Sequence, residues 1–507
     1  MQQPVQLGPK PLTRDDVHAV ARGDARVEIT EAAREAVTAT RAHIERLATA
    51  EQPTYGVSTG FGALAVRHIP PDRRAALQQS LVRSHAAGSG PEVEREVVRA
   101  LVLLRLKTLT SGHTGVRLKT AEAMAAMLNA GITPVVHEFG SLGCSGDLAP
   151  LSAAALALTG EGDVRDADGT LLPAATALAA AGIEPVRLAE KEGLALINGT
   201  DGMLGMLVLA IEDLEYLLDV ADLTAAMSVE ALLGTDRVFA ADLHALRPHP
   251  GQGRSARRMA EILRGSEIMD SHRGPDCTRV QDAYSLRCSP QVHGAARDTV
   301  SYAATVADRE LASSIDNPVV LADGRVESNG NFHGAPIAYV LDFLAIPTAD
   351  VASIAERRTD RMLDVNRSHG LPPFLAHDPG VDSGHMIAQY TQAAIVSELK
   401  RLAVPASVDS IPSSAMQEDH VSMGWSAARK LRQAVDGLRR VLAIEFLTAA
   451  RALDLRKPLN PAPATAAAVA KLREHVPGPG PDRHLAPEIA AAEDLIRNGC
   501  PELRGVQ

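Results

Sequence analysis

From Trp425 to Leu453, apolar residues return every three or four positions: Leu431, Val435, Leu438, Leu442, Phe446 and Ala449. Lys430, Gln433 and Arg440 fall on another face. This spacing matches the turn of an α-helix and predicts one long amphipathic helix. At about 1.5 Å of rise per residue it is long enough to cross a domain. Its apolar stripe needs other helices to cover it, and the composition supplies them. Ala and Leu dominate a hydrophobic content of 46%, whereas aromatics make up 3%. Strands favour aromatic and β-branched side chains, so the fold is expected to be mainly α, with a long helical bundle in the C-terminal half.

Local signals agree. Thr13-Arg-Asp-Asp16 reads as a capping box, and a helix is expected from Glu31 to Ala50. Asn129-Ala-Gly131 reads as a helix stop, and Gly160 to Pro185 as a surface excursion. Leu459 to Pro463 breaks helix. An Ala-rich helix, the turn Pro477-Gly-Pro-Gly-Pro481 and a last helix follow.

With 507 residues there is ample chain for a large core. A net charge of −11 argues against a nucleic-acid partner. Cys144, Cys277, Cys288 and Cys500 form no CxxC pair and suit a reducing compartment. Met1 to Lys10 has no secretory pattern, and the longest apolar run, Gly202 to Ile211, is too short to span a bilayer. The expectation is a cytoplasmic protein with no membrane partner.

The densest chemistry lies in Gly140-Ser-Leu-Gly-Cys-Ser-Gly-Asp-Leu-Ala-Pro150. The amide nitrogen of Gly146 can attack the carbonyl of Cys144 and close a five-membered ring, the carbonyl oxygen leaving as water. Ser145 can then lose its hydroxyl as water. The product, a methylidene-imidazolone, is an electrophile that no ordinary side chain offers. Gly146 has no Cβ to obstruct the bend, and residue 144 contributes mainly its carbonyl. Asp147 is expected to N-cap the following apolar helix, with Pro150 in the first turn. The partial positive charge at that helix N-terminus would stabilise negative charge on the ring. Other readings stand beside this one: a Gly/Ser loop ahead of a buried helix, a phosphate cradle, or a Cys144 thiolate nucleophile. A nucleophile-elbow serine fails, because position 147 is Asp rather than Gly.

Further candidate groups are spread along the chain. Tyr55-Gly-Val-Ser-Thr-Gly-Phe-Gly62 is a glycine-rich loop that lets backbone approach a ligand. If Gln281-Asp-Ala-Tyr-Ser-Leu-Arg287 is helical, Gln281, Tyr284 and Arg287 share a face. A phenol can transfer a proton and a guanidinium can clamp a carboxylate; the alternative is a polar helix face. Asn329-Gly-Asn-Phe-His333 is a polar loop around Phe332, and His85 is either a ligand contact or a structural histidine. Gln417-Glu-Asp-His420 packs polar groups together, but it and His137-Glu138 both lack HExxH spacing, so no metal is expected. Gly251-Gln-Gly-Arg-Ser-Ala256 follows His249-Pro250 rather than a strand, so it is not read as a dinucleotide fingerprint.

Taken in order, these motifs, with Asn198-Gly-Thr200 and Gln417-Glu-Asp-His-Val-Ser-Met423, resemble the aromatic amino acid ammonia-lyases over nearly the whole chain. Two positions depart from the family pattern. Cys144 stands where the ring triplet usually begins with Ala, and Met416 where many relatives carry Asn.

The resemblance implies a mainly α fold with a long central bundle and an N-terminal active-site region. It implies a homotetramer whose sites combine residues of three chains. It implies a 4-methylidene-imidazole-5-one group formed from Cys144-Ser145-Gly146, with no external cofactor. Regions 1–200, 201–460 and 461–507 are then expected to carry the prosthetic-group loop, the long-helix bundle and a helical tail.

The implied reaction is deamination of L-histidine to trans-urocanate and ammonia. By motif match, Tyr55 abstracts the β-proton with Tyr284 assisting, and Arg287 clamps the α-carboxylate. Asn198 and Gln281 orient substrate and ring, and Phe332 packs beside them. Glu418 and His85 point to an imidazole, because a carboxylate can accept from a ring nitrogen. A tyrosine or phenylalanine ammonia-lyase, an aromatic aminomutase, and a non-catalytic helical assembly protein are the alternatives.

Overall fold

The computed structural model describes residues 3–49, 59, 69–144, 146–274, 277 and 280–504. The architecture is mainly helical, and the strands are short. Val5–Leu7 pairs parallel with Val27–Ile29, and Ser89–Glu92 pairs antiparallel with His137–Phe139. Thr133–Pro134, Asp163–Arg165 and Leu171–Pro173 form a small antiparallel sheet, so the expected surface excursion is partly ordered.

Several helix ends follow their local chemistry. Thr13 and Asp16 form the reciprocal capping box at Arg14–Ala21. The Leu118–Asn129 helix stops before Gly131, whose φ of +72° suits glycine. Glu31–Thr49 and Gly424–Asp454 lie where the periodicity predicts them, and all six residues of the apolar stripe are buried. Pro463 opens a new helix, as a proline in a first turn can.

The chain divides into two compact units. One comprises Met1–Leu209, Ala304–Asp342 and Pro405–Arg429; the other comprises Ala210–Ala303, Phe343–Val404 and Lys430–Gln507. Each unit draws on three stretches of sequence, and four of the five boundaries fall within long helices. Consecutive blocks of sequence do not describe this division.

In the first unit, Val97 to Leu109 of the Arg95–Leu109 helix are buried without exception. This helix packs on Arg14–Ala21 and on Leu118–Asn129. Its two buried arginines serve backbone carbonyls. Arg99 donates to Val20 O and Leu128 O at 3.0 and 3.2 Å. Arg105 donates to Asn198 O at 2.7 Å and to Ile315 O at 2.9 Å, with Asp201 3.3 Å away. Three more helices pack mutually here: Arg74–His85, Leu148–Leu158 and Glu192–Ile197. The approach is close enough that Gly193 N donates to Gln78 Oε1 at 2.8 Å.

In the second unit, the buried polar groups pair between helices. Glu445 accepts from Arg358, Thr224 Oγ1 and Ser228 Oγ, the hydroxyls lying at 2.7 and 2.8 Å. Asp222 accepts from His293 Nδ1 at 2.8 Å and Arg297 at 2.6 Å. Burial pushes the Asp222 carboxyl up, but Arg297 and His293 overcome this and hold it well below the usual range.

The longest uninterrupted apolar run understates the helix around it. Glu192–Ala231 and Ala335–Leu363 are long and apolar enough to cross a membrane by length and composition. The apolar window of the first is wholly buried, as in the core helix of a globular protein, and that of the second is 61% buried.

Candidate active site

The loop ahead of the Leu148–Leu158 helix is fixed from several sides, mostly through backbone. Gly143 O accepts from Ser422 Oγ at 2.7 Å and from Gly334 N at 3.1 Å. Leu142 O accepts from Met423 N at 2.9 Å, and Asp147 N donates to Gly199 O at 2.7 Å. Trp425 Nε1 donates to Glu138 O at 2.6 Å just upstream. Three distant stretches, around Gly199, Gly334 and Ser422 to Trp425, thus hold one loop.

Asp147 sits at the cap position of its own helix, but its side chain does not cap it. The carboxylate instead accepts from Gly202 N and Met203 N, each at 2.9 Å, at the start of Asp201–Ala231. Ser141 Oγ donates to its other oxygen at 2.9 Å. The expected cap is therefore redirected: the acid satisfies the orphan amides of a different helix. Burial pushes the Asp147 carboxyl up to about 7, against the hydrogen bonds from Met203, Ser141 and Gly202.

Ser145 lies outside the described residues, as do Tyr55 and its loop apart from Thr59. The neighbours of Ser145 fit a group built from backbone. Gly146 has φ of +82°, and a Cβ added there would lie 2.0 Å from Gly199 O. Only glycine has both the conformation and the room. Nearby Asn198 is 3% exposed, and its Oδ1 accepts no hydrogen bond among the described residues. Such an orphan acceptor is costly unless a ligand or the ring supplies a donor.

Asn198 also organises a second wall. Its Nδ2 donates to Asn317 O at 3.0 Å. Asn317 Oδ1 accepts from Ser328 Oγ and Asn329 N, both at 3.0 Å, and Asn329 Nδ2 donates to Asp316 O at 3.0 Å. This web holds the Asn329–His333 loop, where Phe332 is half-buried. Gly334 then ties the loop to the ring segment through Gly143. Asn317 and Arg105 were missed by the sequence reading. Polar loop residues show no period, although Asp316-Asn-Pro318 is a turn signal.

Glu418 closes the third side. Ser413 and Glu418 pair through backbone at 2.9 and 3.3 Å. The intervening Ser414, Ala415 and Met416 have φ of 51°, 52° and 68°. Three successive non-glycine residues in this region are uncommon and carry strain. Glu418 Oε2 accepts from Ser413 Oγ at 2.9 Å and from Cys144 Sγ at 3.1 Å. His333 and His420 stack with ring centroids 5.6 Å apart. His85 ends its helix half-buried, its Nδ1 2.9 Å from Leu81 O. Beyond it, Gly88 lies against Gly140: a Cβ on Gly140 would come within 3.2 Å of Gly88 Cα.

Gln281, Tyr284 and Arg287 belong to the other unit. Gln281 does not share a helical face with Tyr284 and Arg287. The helix begins at Tyr284 and ends at Arg287, with exposed Gln281 ahead of it. The cause is Asp282, whose carboxylate accepts from Thr235 N at 2.7 Å and whose carbonyl accepts from Arg287 Nε at 2.9 Å. Arg287 lies 4.7 Å over the Tyr284 ring, a cation–π contact that orients both. The Gly251 segment is part of the Pro250–Ile262 helix and forms no phosphate turn.

Comparisons with known proteins show the family. A family model described as aromatic amino acid lyase matches residues 12–474. The histidine ammonia-lyase of Streptomyces avermitilis is 67% identical over 496 residues, covering 98% of this chain and 97% of that protein. The crystal structure of tyrosine aminomutase from Streptomyces globisporus matches with a TM-score of 0.92 at 38% identity, covering 98% of this chain and 97% of that one. The crystal structure of histidine ammonia-lyase from Trypanosoma cruzi matches with a TM-score of 0.90 at 37% identity, covering 99% and 95%. With a family model matched over residues 12–474 and sequence similarity over nearly its full length, this chain belongs to the aromatic amino acid lyase family.

Proposed function

We propose that this protein is an ammonia-lyase that converts L-histidine to trans-urocanate and ammonia. The observation that carries the choice of substrate is the Glu418 carboxylate, fixed by Ser413 Oγ and by the thiol of Cys144, the residue that heads the ring triplet. A carboxylate there can accept from an imidazole N–H, whereas a phenyl ring would leave it without that partner. The 4-methylidene-imidazole-5-one group of Cys144-Ser145-Gly146, when formed, supplies the electrophile that makes the substrate amine a better leaving group. The remaining work falls to side chains. Arg287 receives the α-carboxylate, for which a guanidinium fork is suited. Asn198 presents the unpartnered Oδ1 to a donor on substrate or ring, with Gln281 assisting. Tyr55 takes the β-proton and Tyr284 assists. His85 contacts the imidazole and Phe332 packs beside the reacting carbons. No external cofactor is part of this reading.

We propose further that the chain works in the cytoplasm as a homotetramer. All four cysteines are free thiols. On the Ala335–Leu363 helix, Tyr339, Phe343 and Ile346 recur at helical spacing yet are 60%, 46% and 49% exposed. Such a stripe supports burial against another copy.

The test is to offer dialysed, chelated protein L-histidine, L-tyrosine and L-phenylalanine separately and follow the ultraviolet absorbance of each acrylate. Histidine should be strongly preferred. Preference for tyrosine or phenylalanine, or accumulation of a β-amino acid, would replace this reading with the aromatic lyase or the aminomutase.

A further inference from the structure

Glu418 is carried by a largely exposed loop. The loop is pinned at its base by the Ser413–Glu418 backbone pair, and Ser414 to Gln417 between them are exposed. Two donors converge on Oε2, and they differ in kind. Ser413 is five residues away and moves with the loop. Cys144 lies 274 residues away in sequence, on the segment that Ser422, Gly334 and Met423 hold in place. Cys144 is 6% exposed, so its donor is directed into the protein rather than at solvent. The thiol is thus the fixed point that sets the carboxylate in register with the ring segment.

We infer that Cys144 is a positioning residue for substrate recognition: its thiol, acting with the Ser413 hydroxyl, aims the Glu418 carboxylate at the imidazole. The inference rests on the histidine reading above and adds a role for a side chain that ring closure does not use. Alanine at this position permits cyclisation but cannot donate. Serine can donate, though it is shorter. A thiol is a weak donor, so the effect is modest and falls on selectivity rather than on chemistry.

The experiment measures dissociation constants of trans-urocanate and of cinnamate, its phenyl counterpart, for the full-length protein and its variants. Cys144→Ala should weaken urocanate binding by about three- to tenfold. Cinnamate should change by less than about twofold, and Cys144→Ser should recover most of the loss. Beside Glu418→Gln, the further loss from Cys144→Ala should vanish, because both substitutions remove one interaction. Intact mass shows whether each variant has closed its ring. The same series in a Ser145→Ala background, where no ring forms, separates aiming from cyclisation. If the unsubstituted protein binds cinnamate as tightly as urocanate, the histidine reading fails and this inference with it. If that protein is selective but Cys144→Ala weakens both ligands equally, or its effect persists beside Glu418→Gln, this inference alone is overturned.

Discussion

Two buried carboxylates, Glu445 in one unit and Asp147 in the other, are satisfied in different ways. Glu445 lies among long helices and is met by side chains: Arg358, Thr224 and Ser228. Asp147 lies at the ring loop and is met by two helix amides and one hydroxyl, with no cation paired to it among the described residues. A buried ion pair holds helices together but leaves nothing for a ligand to complete. A loop held by amides keeps its geometry while its neighbours, such as Asn198 Oδ1, remain open to a partner. Stability is therefore concentrated in one kind of contact and chemistry in the other, and substitutions should separate them.

The largest effect should come from Ser145→Ala, which removes the hydroxyl that must be eliminated. Activity should fall by more than about a thousandfold. The melting temperature should barely move, since hydrogen bonds of Gly143, Leu142 and Asp147 hold the loop. Near-normal turnover would remove the electrophile from the account. Arg358→Met should do the converse. It strands Glu445 without its cation and should cost about 3–5 kcal/mol of stability. Denaturant unfolding measures this, and kcat/KM of the remaining folded protein should stay close to that of the parent. A stable but inactive Arg358→Met protein would break the separation.

Glu418→Gln should act on selectivity. Its shape is conserved, so folding should survive. The kcat/KM for histidine should fall by about ten- to a hundredfold, with far less effect on tyrosine. Equal losses for the two substrates would make Glu418 a general catalytic or structural group. A further effect concerns Asp147. Its carboxyl is raised from 3.8 to about 7, so the folded protein binds that proton more tightly than the unfolded chain. This contribution to stability is full below pH 3.8 and is lost as pH rises towards 7 and beyond. Asp147→Asn removes the titration, so the variant should gain on the parent as pH rises through that window. Thermal melts of both proteins across the window measure the difference, and a variant that loses ground to the parent as pH rises would contradict the assigned direction.

The contrast between these two carboxylates also explains what the sequence reveals. The Gly424–Asp454 helix was legible because a buried stripe repeats with the helical turn, and burial is what periodicity reports. The glycines of the ring loop were legible because a positive φ admits few other residues. Asp147 was legible as a helix cap but not as the cap of a different helix, since sequence order does not say which amides lie nearby. The shared face of Gln281, Tyr284 and Arg287 failed for a related reason. Asp282 has a tertiary partner in Thr235, which overrides helical spacing. Asn317, Arg105 and Ser413 were not legible, because single polar residues acquire their roles only when distant loops meet. Family resemblance supplied roles for Tyr55 and Arg287 that no local pattern could provide.

The central claim is that this chain makes its own electrophile from Cys144-Ser145-Gly146, and intact-mass spectrometry of the purified, unsubstituted protein tests it most directly. The account predicts a mass lower than that of the encoded chain by two molecules of water, with the deficit mapping to the peptide spanning residues 140–150 and absent from Ser145→Ala. A full-mass protein that still releases ammonia from histidine would contradict it.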